Sequence, residues 1–205
     1  MNTIAKPRRF LASISGLLLA ASALALPACT QQPPAQPPLA GADIGGPFEL
    51  VSSSGKTVKW EDFRGKYAIV YFGYAFCPDI CPTDMQRTIQ GLKVLEKRDA
   101  ELAAKIQPVF ITIDPERDTQ DVVGQFASAF SDDLIGLTGS PEAVKAAADN
   151  FAVYYNKGEE TDEGGYLVDH TNIVYFFDPE GKPLAMLPVD MGANAVADEI
   201  EKWAN

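Results

Sequence analysis

Tyr67 to Tyr71 is a continuous apolar run with no polar alternation, and Val109 to Ile113 reads as a second buried strand. A strand wetted on one face alternates apolar and polar residues, whereas a strand covered on both faces has no reason to. Each run therefore predicts a central strand with layers above and below it. Pro82 and the stretch from Thr83 to about Glu96 follow the first run. This segment reads as a helix with Ile89, Leu92 and Leu95 on one face and the proline in the first turn, where its missing N–H costs nothing. The second run leaves through Asp114-Pro115-Glu116-Arg117-Asp118-Thr119 into a helix ending near Phe130. Strand, helix, strand, helix in this order points to a parallel sheet.

The flanks complete the pattern. Phe48 to Val51 and Lys56 to Trp60 flank Ser52-Ser53-Ser54-Gly55, an opening hairpin. Leu134 to Leu137 reads as a short strand, Pro141 to Phe151 as a helix and Val153 to Asn156 as an extended segment. Ile173 to Phe177 and Pro183 to Leu187 flank Asp178-Pro179-Glu180-Gly181, a second hairpin, and a helix from Asn194 to Trp203 closes the chain. A parallel β-α-β unit, then an antiparallel hairpin and a last helix, is the order of a thioredoxin-like α/β fold. It predicts a central mixed sheet flanked by helices, with an N-terminal β-hairpin extension and an inserted helix. Residues 47–205 suffice for one domain with a substantial core.

Residues 1–28 read as an export signal. Lys6, Arg8 and Arg9 precede a mostly apolar stretch from Phe10 to Leu26. Its 17 residues lie at the short limit for a spanning helix, so an uncleaved anchor is the second reading. In Leu26-Pro27-Ala28-Cys29 a small residue precedes a cysteine, which resembles a bacterial lipoprotein cleavage box with Cys29 as the lipidated residue, although Pro27 departs from the usual small residue. Ordinary cleavage at Ala23-Leu24-Ala25 is the plainer alternative. Arg8-Arg9 leaves Sec and Tat export both open. Residues 29–46, rich in Gln, Pro, Ala and Gly, read as a semi-rigid tether between a membrane and the domain.

All 28 acidic residues lie beyond Cys29 and three of the 17 basic ones lie before it, so the exported part carries a net charge of −14. That excludes a nucleic-acid binder and favours cations and basic protein partners.

The chain has one histidine, His170, and beyond Cys29 only the cysteines Cys77 and Cys81, in Phe76-Cys77-Pro78-Asp79-Ile80-Cys81-Pro82. A structural disulfide is a weak explanation: closing so small a ring contributes only about 2 kcal/mol, in a loop already stiffened by two prolines. Buried free thiols are not expected beside Asp79 at an exposed strand end. At a helix N-terminus both thiolates should be stabilised. A dithiol exchanger would more often show Cys-x-x-Cys, and a proline normally precedes the strand facing a thioredoxin-like active site. Here Asp169-His170-Thr171 precedes Ile173, which puts a ligand where an exchanger keeps its docking proline. Two thiolates and one imidazole suit copper, as Cu(I) or Cu(II); structural zinc would need a fourth ligand from Asp79, Asp169 or water.

With these residues in view the chain resembles the Sco/SenC family of copper-binding proteins that help assemble cytochrome c oxidase. Three segments carry the resemblance: Tyr71 to Pro82, Ile113 to Thr119, and Val168 to Thr171. It implies a thioredoxin-like domain from Pro47 onward with copper held by Cys77, Cys81 and His170. Members usually have one membrane anchor, for which a lipidated Cys29 would be a variant. The Asp114 to Thr119 loop is also a family feature. It reads either as a turn, with Asp118 or Thr119 capping the next helix, or as a source of a tuning carboxylate, Asp114, alongside Asp79 and Asp169.

The expected function is an exported, membrane-anchored copper chaperone, periplasmic or on the outer face of the cytoplasmic membrane. It would deliver copper to the binuclear site of a cytochrome c oxidase subunit, with other copper chaperones as further partners. The alternative is a thiol-disulfide reductase keeping the oxidase cysteines reduced through a redox-active Cys77–Cys81 pair. A copper or redox sensor is a third reading. A peroxidase fits least, because Tyr74 occupies the place of the threonine in the Thr-x-x-Cys arrangement of peroxiredoxins.

Overall fold

Both buried runs lie at the centre of one seven-stranded sheet in the computed structural model, which describes Thr3 and residues 35–160 and 165–204. In chain order the strands are β1 (Glu49–Ser52), β2 (Thr57–Lys59), β3 (Tyr67–Gly73), β4 (Ile106–Thr112), β5 (Ile135–Thr138), β6 (Tyr155–Lys157), β7 (Val168–His170), β8 (Val174–Phe177) and β9 (Pro183–Met186). The helices are α1 (Ile80–Arg98), α2 (Ala100–Ala103), α3 (Gln120–Ser128), α4 (Pro141–Asn150) and α5 (Ala193–Trp203).

The sheet order is β2-β1-β5-β4-β3-β8-β9, with β6 and β7 forming a separate two-stranded ladder. Strands β3, β4 and β5 are parallel, while β8 runs antiparallel to β3 and β1 antiparallel to β5. This is the predicted mixed sheet with its hairpin extension. Register then positions the site. Gly73 at the end of β3 lies opposite Thr112 at the end of β4, so the loops after both strands leave from the same edge. Val174, the first residue of β8, lies opposite Tyr71, so the chain entering β8 arrives at that edge too.

Strand β3 is buried throughout from Ala68 to Gly73, as its unbroken apolar run requires. The N-terminal hairpin is joined to the sheet by aromatic packing. Trp60, only 2% exposed, meets Phe151 edge-on at 5.1 Å and Phe177 at 5.0 Å, with Phe48 at 5.9 Å. Such edge-to-face pairs add to the burial of apolar area.

Several boundaries differ from expectation. Helix α1 starts at Ile80, two residues ahead of Pro82. First-turn N–H groups have no intrahelical partner, so a proline is tolerated anywhere in that turn. Trp60 begins a 3-10 turn, Trp60–Phe63, instead of ending a strand, because the Asp62 carboxylate accepts the Lys59 amide at 2.8 Å. Helix α2 was not foreseen; Asp99 caps it through the Leu102 amide at 2.9 Å.

The tether expected to reach Gly46 ends earlier. The Leu39 amide donates to the Leu184 carbonyl at 3.0 Å and the Gly45 amide to the Asn150 carbonyl at 2.8 Å, while Leu39 and Ile44 pack against the core. Two apolar anchors inside a Pro-rich stretch are enough to hold it on the domain. The predicted export signal at 1–28 lies, apart from Thr3, outside the described residues, as do Cys29 and the rest of the predicted tether up to Pro34. Among the described residues no helix is long and apolar enough to cross a membrane.

Candidate metal site

The cysteine loop is built by the end of β3 and the start of α1. A turn closes with the Cys77 amide donating to the Tyr74 carbonyl at 3.2 Å. Cys81 sits in the first turn of α1, and its amide donates to Cys77 Sγ at 3.4 Å. That amide would otherwise be one of the unpaired donors of the helix start, so the sulfur of Cys77 takes the place of a capping oxygen. Gly73 leaves room for the second sulfur: a Cβ there would stand 3.0 Å from Cys81 Sγ and 2.9 Å from the Tyr71 ring.

His170 comes from β7, where it pairs with Tyr155 of β6. Its Nδ1 lies 3.0 Å from the Thr171 carbonyl oxygen. A carbonyl only accepts, so Nδ1 carries the hydrogen and the neutral ring presents the lone pair of Nε2. That nitrogen lies 3.3 Å from Cys81 Sγ. Ligand atoms of Cys77, Cys81 and His170 all fall within 4.8 Å of one another, and this is the one such group found among the described residues. The Tyr71 and Tyr74 rings stand edge-on to the imidazole at 6.2 and 6.0 Å and wall the site.

Burial lowers the pKa of His170, opposed by the Thr171 carbonyl and the charge of Asp169, which keeps the ring in the neutral form that binds metals. Burial pushes the Cys81 thiol well above its ordinary range. This runs against the expectation of a stabilised thiolate at Cys81, which is fully buried, so that desolvation outweighs the hydrogen bonds from Tyr74 and Tyr71 that favour the charged form. Phe76, Pro78, Asp79 and Ile80 are exposed, as the loop was expected to be, but the two cysteines within it are buried, against expectation, and both thiols are free. A metal entering here must displace the Cys81 proton, so binding and proton release are coupled. Two sulfurs and an unprotonated imidazole nitrogen, fixed by an outer hydrogen bond and shielded by aromatic rings, fit a soft ion of low coordination number.

The carboxylates proposed as tuning groups do not join this cluster. Asp79 is exposed at the N-cap of α1 and its side chain makes no capping bond. Asp169 is exposed while its neighbour His170 is half-buried, as strand alternation demands, and it acts on the imidazole only through its charge. Asp114 is buried in an ion pair with Arg117 and accepts the Tyr166 hydroxyl at 2.7 Å. Thr119 caps α3 through the Val122 amide.

Asp118, read from sequence as a possible cap, is fully buried and does something else. Its Oδ2 accepts the Ala75 amide at 2.8 Å and the Thr112 hydroxyl at 2.7 Å, tying the β4 exit loop to the cysteine loop. The available signal was Thr112 itself, a hydroxyl at the end of a buried strand that needs a partner. The two tyrosine walls gave none, since Tyr71 reads simply as part of an apolar strand.

The sequence model of the SCO1/SenC family matches residues 36–205. The mitochondrial SCO1 homolog 1 of Arabidopsis thaliana is 45% identical over 144 residues, covering 70% of this chain and 42% of that protein. The SCO2-like protein of Rickettsia felis is 33% identical over 194 residues, covering 90% of this chain and 92% of that protein. Among solved structures, Arabidopsis thaliana ScoI with copper bound superposes with a TM-score of 0.69 at 38% identity, covering 78% of this chain and 99% of that one. The matched region spans about half the length of the mitochondrial relatives.

Proposed function

The chain belongs to the SCO1/SenC family, and on that premise we propose that it is a copper chaperone working outside the cytoplasm, held at a membrane by its N-terminal segment. It carries the ion on Cys77, Cys81 and His170 and passes it to the binuclear copper site of cytochrome c oxidase. The observation that carries this reading is the orientation of His170: Nδ1 is engaged by the Thr171 carbonyl, and Nε2 faces Cys81 Sγ at 3.3 Å. The copper-bound structure of the Arabidopsis relative supports the choice of ion. The oxidase as acceptor, and other copper chaperones as donors, follow from the family resemblance.

The ligands arrive on separate pieces of structure, which suits a cargo that must leave. Cys77 and Cys81 lie in one loop-to-helix junction, while His170 belongs to a small ladder outside the main sheet. An acceptor can therefore replace the imidazole first and leave the two sulfurs holding Cu(I) until its own thiolates take over. Cu(I) needs only two or three soft ligands, and each step exchanges one ligand for another.

A thiol-disulfide reductase would use the same two sulfurs and has no need of a histidine. The fixed imidazole favours the metal reading over it. The test is the copper content of the full-length protein together with oxidase activity in cells lacking the wild-type gene. Cys77→Ser and Cys81→Ser should lose copper, and His170→Ala should lose Cu(II) retention and lower oxidase activity. Wild-type copper content and respiration with His170→Ala would sink the proposal, and full rescue of a cysteine-reduced acceptor by that variant would favour the reductase.

A further inference from the structure

The ladder that carries His170 has little to hold it in place by itself. Strands β6 and β7 pair over only three residues each, and of those six side chains only Val168 is buried. A two-stranded ladder of this kind is at best marginally stable in water. A cleft of about 130 Å³ adjoins it, lined by Ile113, Asp114, Tyr155, Tyr166 and Val168 among others, and the ladder's apolar contact with the core comes from Val168, Tyr155 and Tyr166.

The β4 exit loop supplies the missing attachment through Arg117. The guanidinium lies over the Tyr166 ring at 3.5 Å, and its NH1 donates to the Tyr166 carbonyl at 2.9 Å. Its Nε donates to Asp114, whose other oxygen accepts the Tyr166 hydroxyl at 2.7 Å. Lys157 of β6 adds a bond to Glu116 of the same loop at 3.2 Å. Arg117 also lies over Phe76 at 5.3 Å and Tyr74 at 5.6 Å, in the cysteine loop, and Tyr74 itself touches the His170 ring. Arg117 NH2 is buried without a hydrogen-bond partner among the described residues.

We propose that Arg117 is a positioning residue for the third metal ligand: it clamps the β6–β7 ladder to the cysteine loop and so sets His170 Nε2 within reach of both sulfurs. The proposal rests on the metal reading given above. Arg117 touches no ligand atom. It acts through Tyr166 of the ladder's approach and through Tyr74 and Phe76 of the cysteine loop, and the planar fork that grips the Tyr166 carbonyl and Asp114 together is a geometry lysine cannot reproduce.

The test uses the full-length protein carrying Arg117→Lys, Arg117→Gln or Tyr166→Phe, with His170→Ala alongside. Paramagnetic resonance and absorption spectra report the Cu(II) ligand set, and competition with a chelator reports retention of each oxidation state. Both Arg117 variants should retain Cu(II) about tenfold less well, the usual scale for loss of an outer positioning group, with an altered spectrum. Cu(I), satisfied by two thiolates, should stay at the wild-type level. Tyr166→Phe, which removes only a hydroxyl, should shift in the same direction by less. Wild-type Cu(II) spectra and retention in Arg117→Lys, beside a clear loss in His170→Ala, would overturn this inference alone. Wild-type Cu(II) binding in His170→Ala would overturn the metal reading and this inference with it. Should the Arg117 variants fail to fold, hydrogen exchange of metal-free Tyr166→Phe decides. The Gly158 and Thr171 amides, bonded to Leu167 and Tyr154, should exchange faster, and unchanged rates would overturn the clamp.

Discussion

The buried carboxylate of Asp118 accepts the amide of Ala75 at 2.8 Å, joining the loop that follows β4 to the loop that bears Cys77. The same oxygen accepts the Thr112 hydroxyl at 2.7 Å. Asp118→Ala strands two buried donors and should destabilise the domain by about 2–4 kcal/mol, while Asp118→Asn keeps an accepting oxygen and should cost less than half of that. Urea denaturation of the metal-free protein measures both. An unchanged midpoint in Asp118→Ala would mean the bond contributes nothing to the cysteine loop.

Gly73 is the second point where the sheet shapes the site. A methyl group there meets Cys81 Sγ at 3.0 Å, the Tyr71 ring at 2.9 Å and the Phe110 ring at 3.2 Å. All three neighbours are fully buried, so Gly73→Ala should cost about 1–3 kcal/mol, the usual cost of overpacking. It should also displace the Cys81 sulfur and shift the copper absorption spectrum. A variant with wild-type stability and spectrum would show that the end of β3 yields more easily than its packing indicates.

Stability of the metal-free protein should depend on pH at both ends. Burial lowers the pKa of His170 from 6.5, so below that pH the unfolded chain takes up a proton that the folded one resists. The stability linked to His170 is therefore present above about 6.5 and lost as pH falls through the folded value. Burial raises the pKa of Cys81 from 9.0, so above that pH the unfolded chain releases a proton that the folded one keeps. Its contribution is present below about 9 and lost as pH rises. Denaturation across pH should show His170→Ala flattening the acid limb and Cys81→Ser flattening the alkaline limb. Limbs identical to wild type in both variants would contradict these burial effects.

What the sequence made legible follows from how local each signal is. The unbroken apolar run at Tyr67 to Tyr71 predicted a strand covered on both faces, and β3 is buried from Ala68 onward. The two cysteines and His170 were found because no other residues of those types follow Cys29, and the order of strands brought them to one edge. Polar connections between distant loops were hidden. Arg117 and Asp118 stand in a turn-like stretch where charged residues are ordinary, and only the fold reveals that one grips Tyr166, 49 residues away, and the other Ala75, 43 residues away. The direction of the Cys81 shift was missed for a related reason. Position at a helix start is visible in sequence, but depth of burial is not.

The segment at 35–46 gives a final prediction, because composition marked it as tether and the structure packs it on the domain. Leu39 and Ile44 lie against the core, and Gly45 adopts a φ of +95° where a Cβ would stand 2.9 Å from the Phe177 ring. Both the left-handed backbone and the close approach favour glycine, so Gly45→Ala should destabilise the domain by about 1–3 kcal/mol. Leu39→Ala, at a partly buried position, should cost less than a fully buried leucine, about 1–2 kcal/mol. Thermal denaturation of the full-length protein distinguishes the two descriptions. A spacer tolerates both changes without effect, whereas a packed segment lowers the melting temperature in each, and since Gly45 crosses Phe177 of the strand beside β3, its loss should be felt in the central sheet.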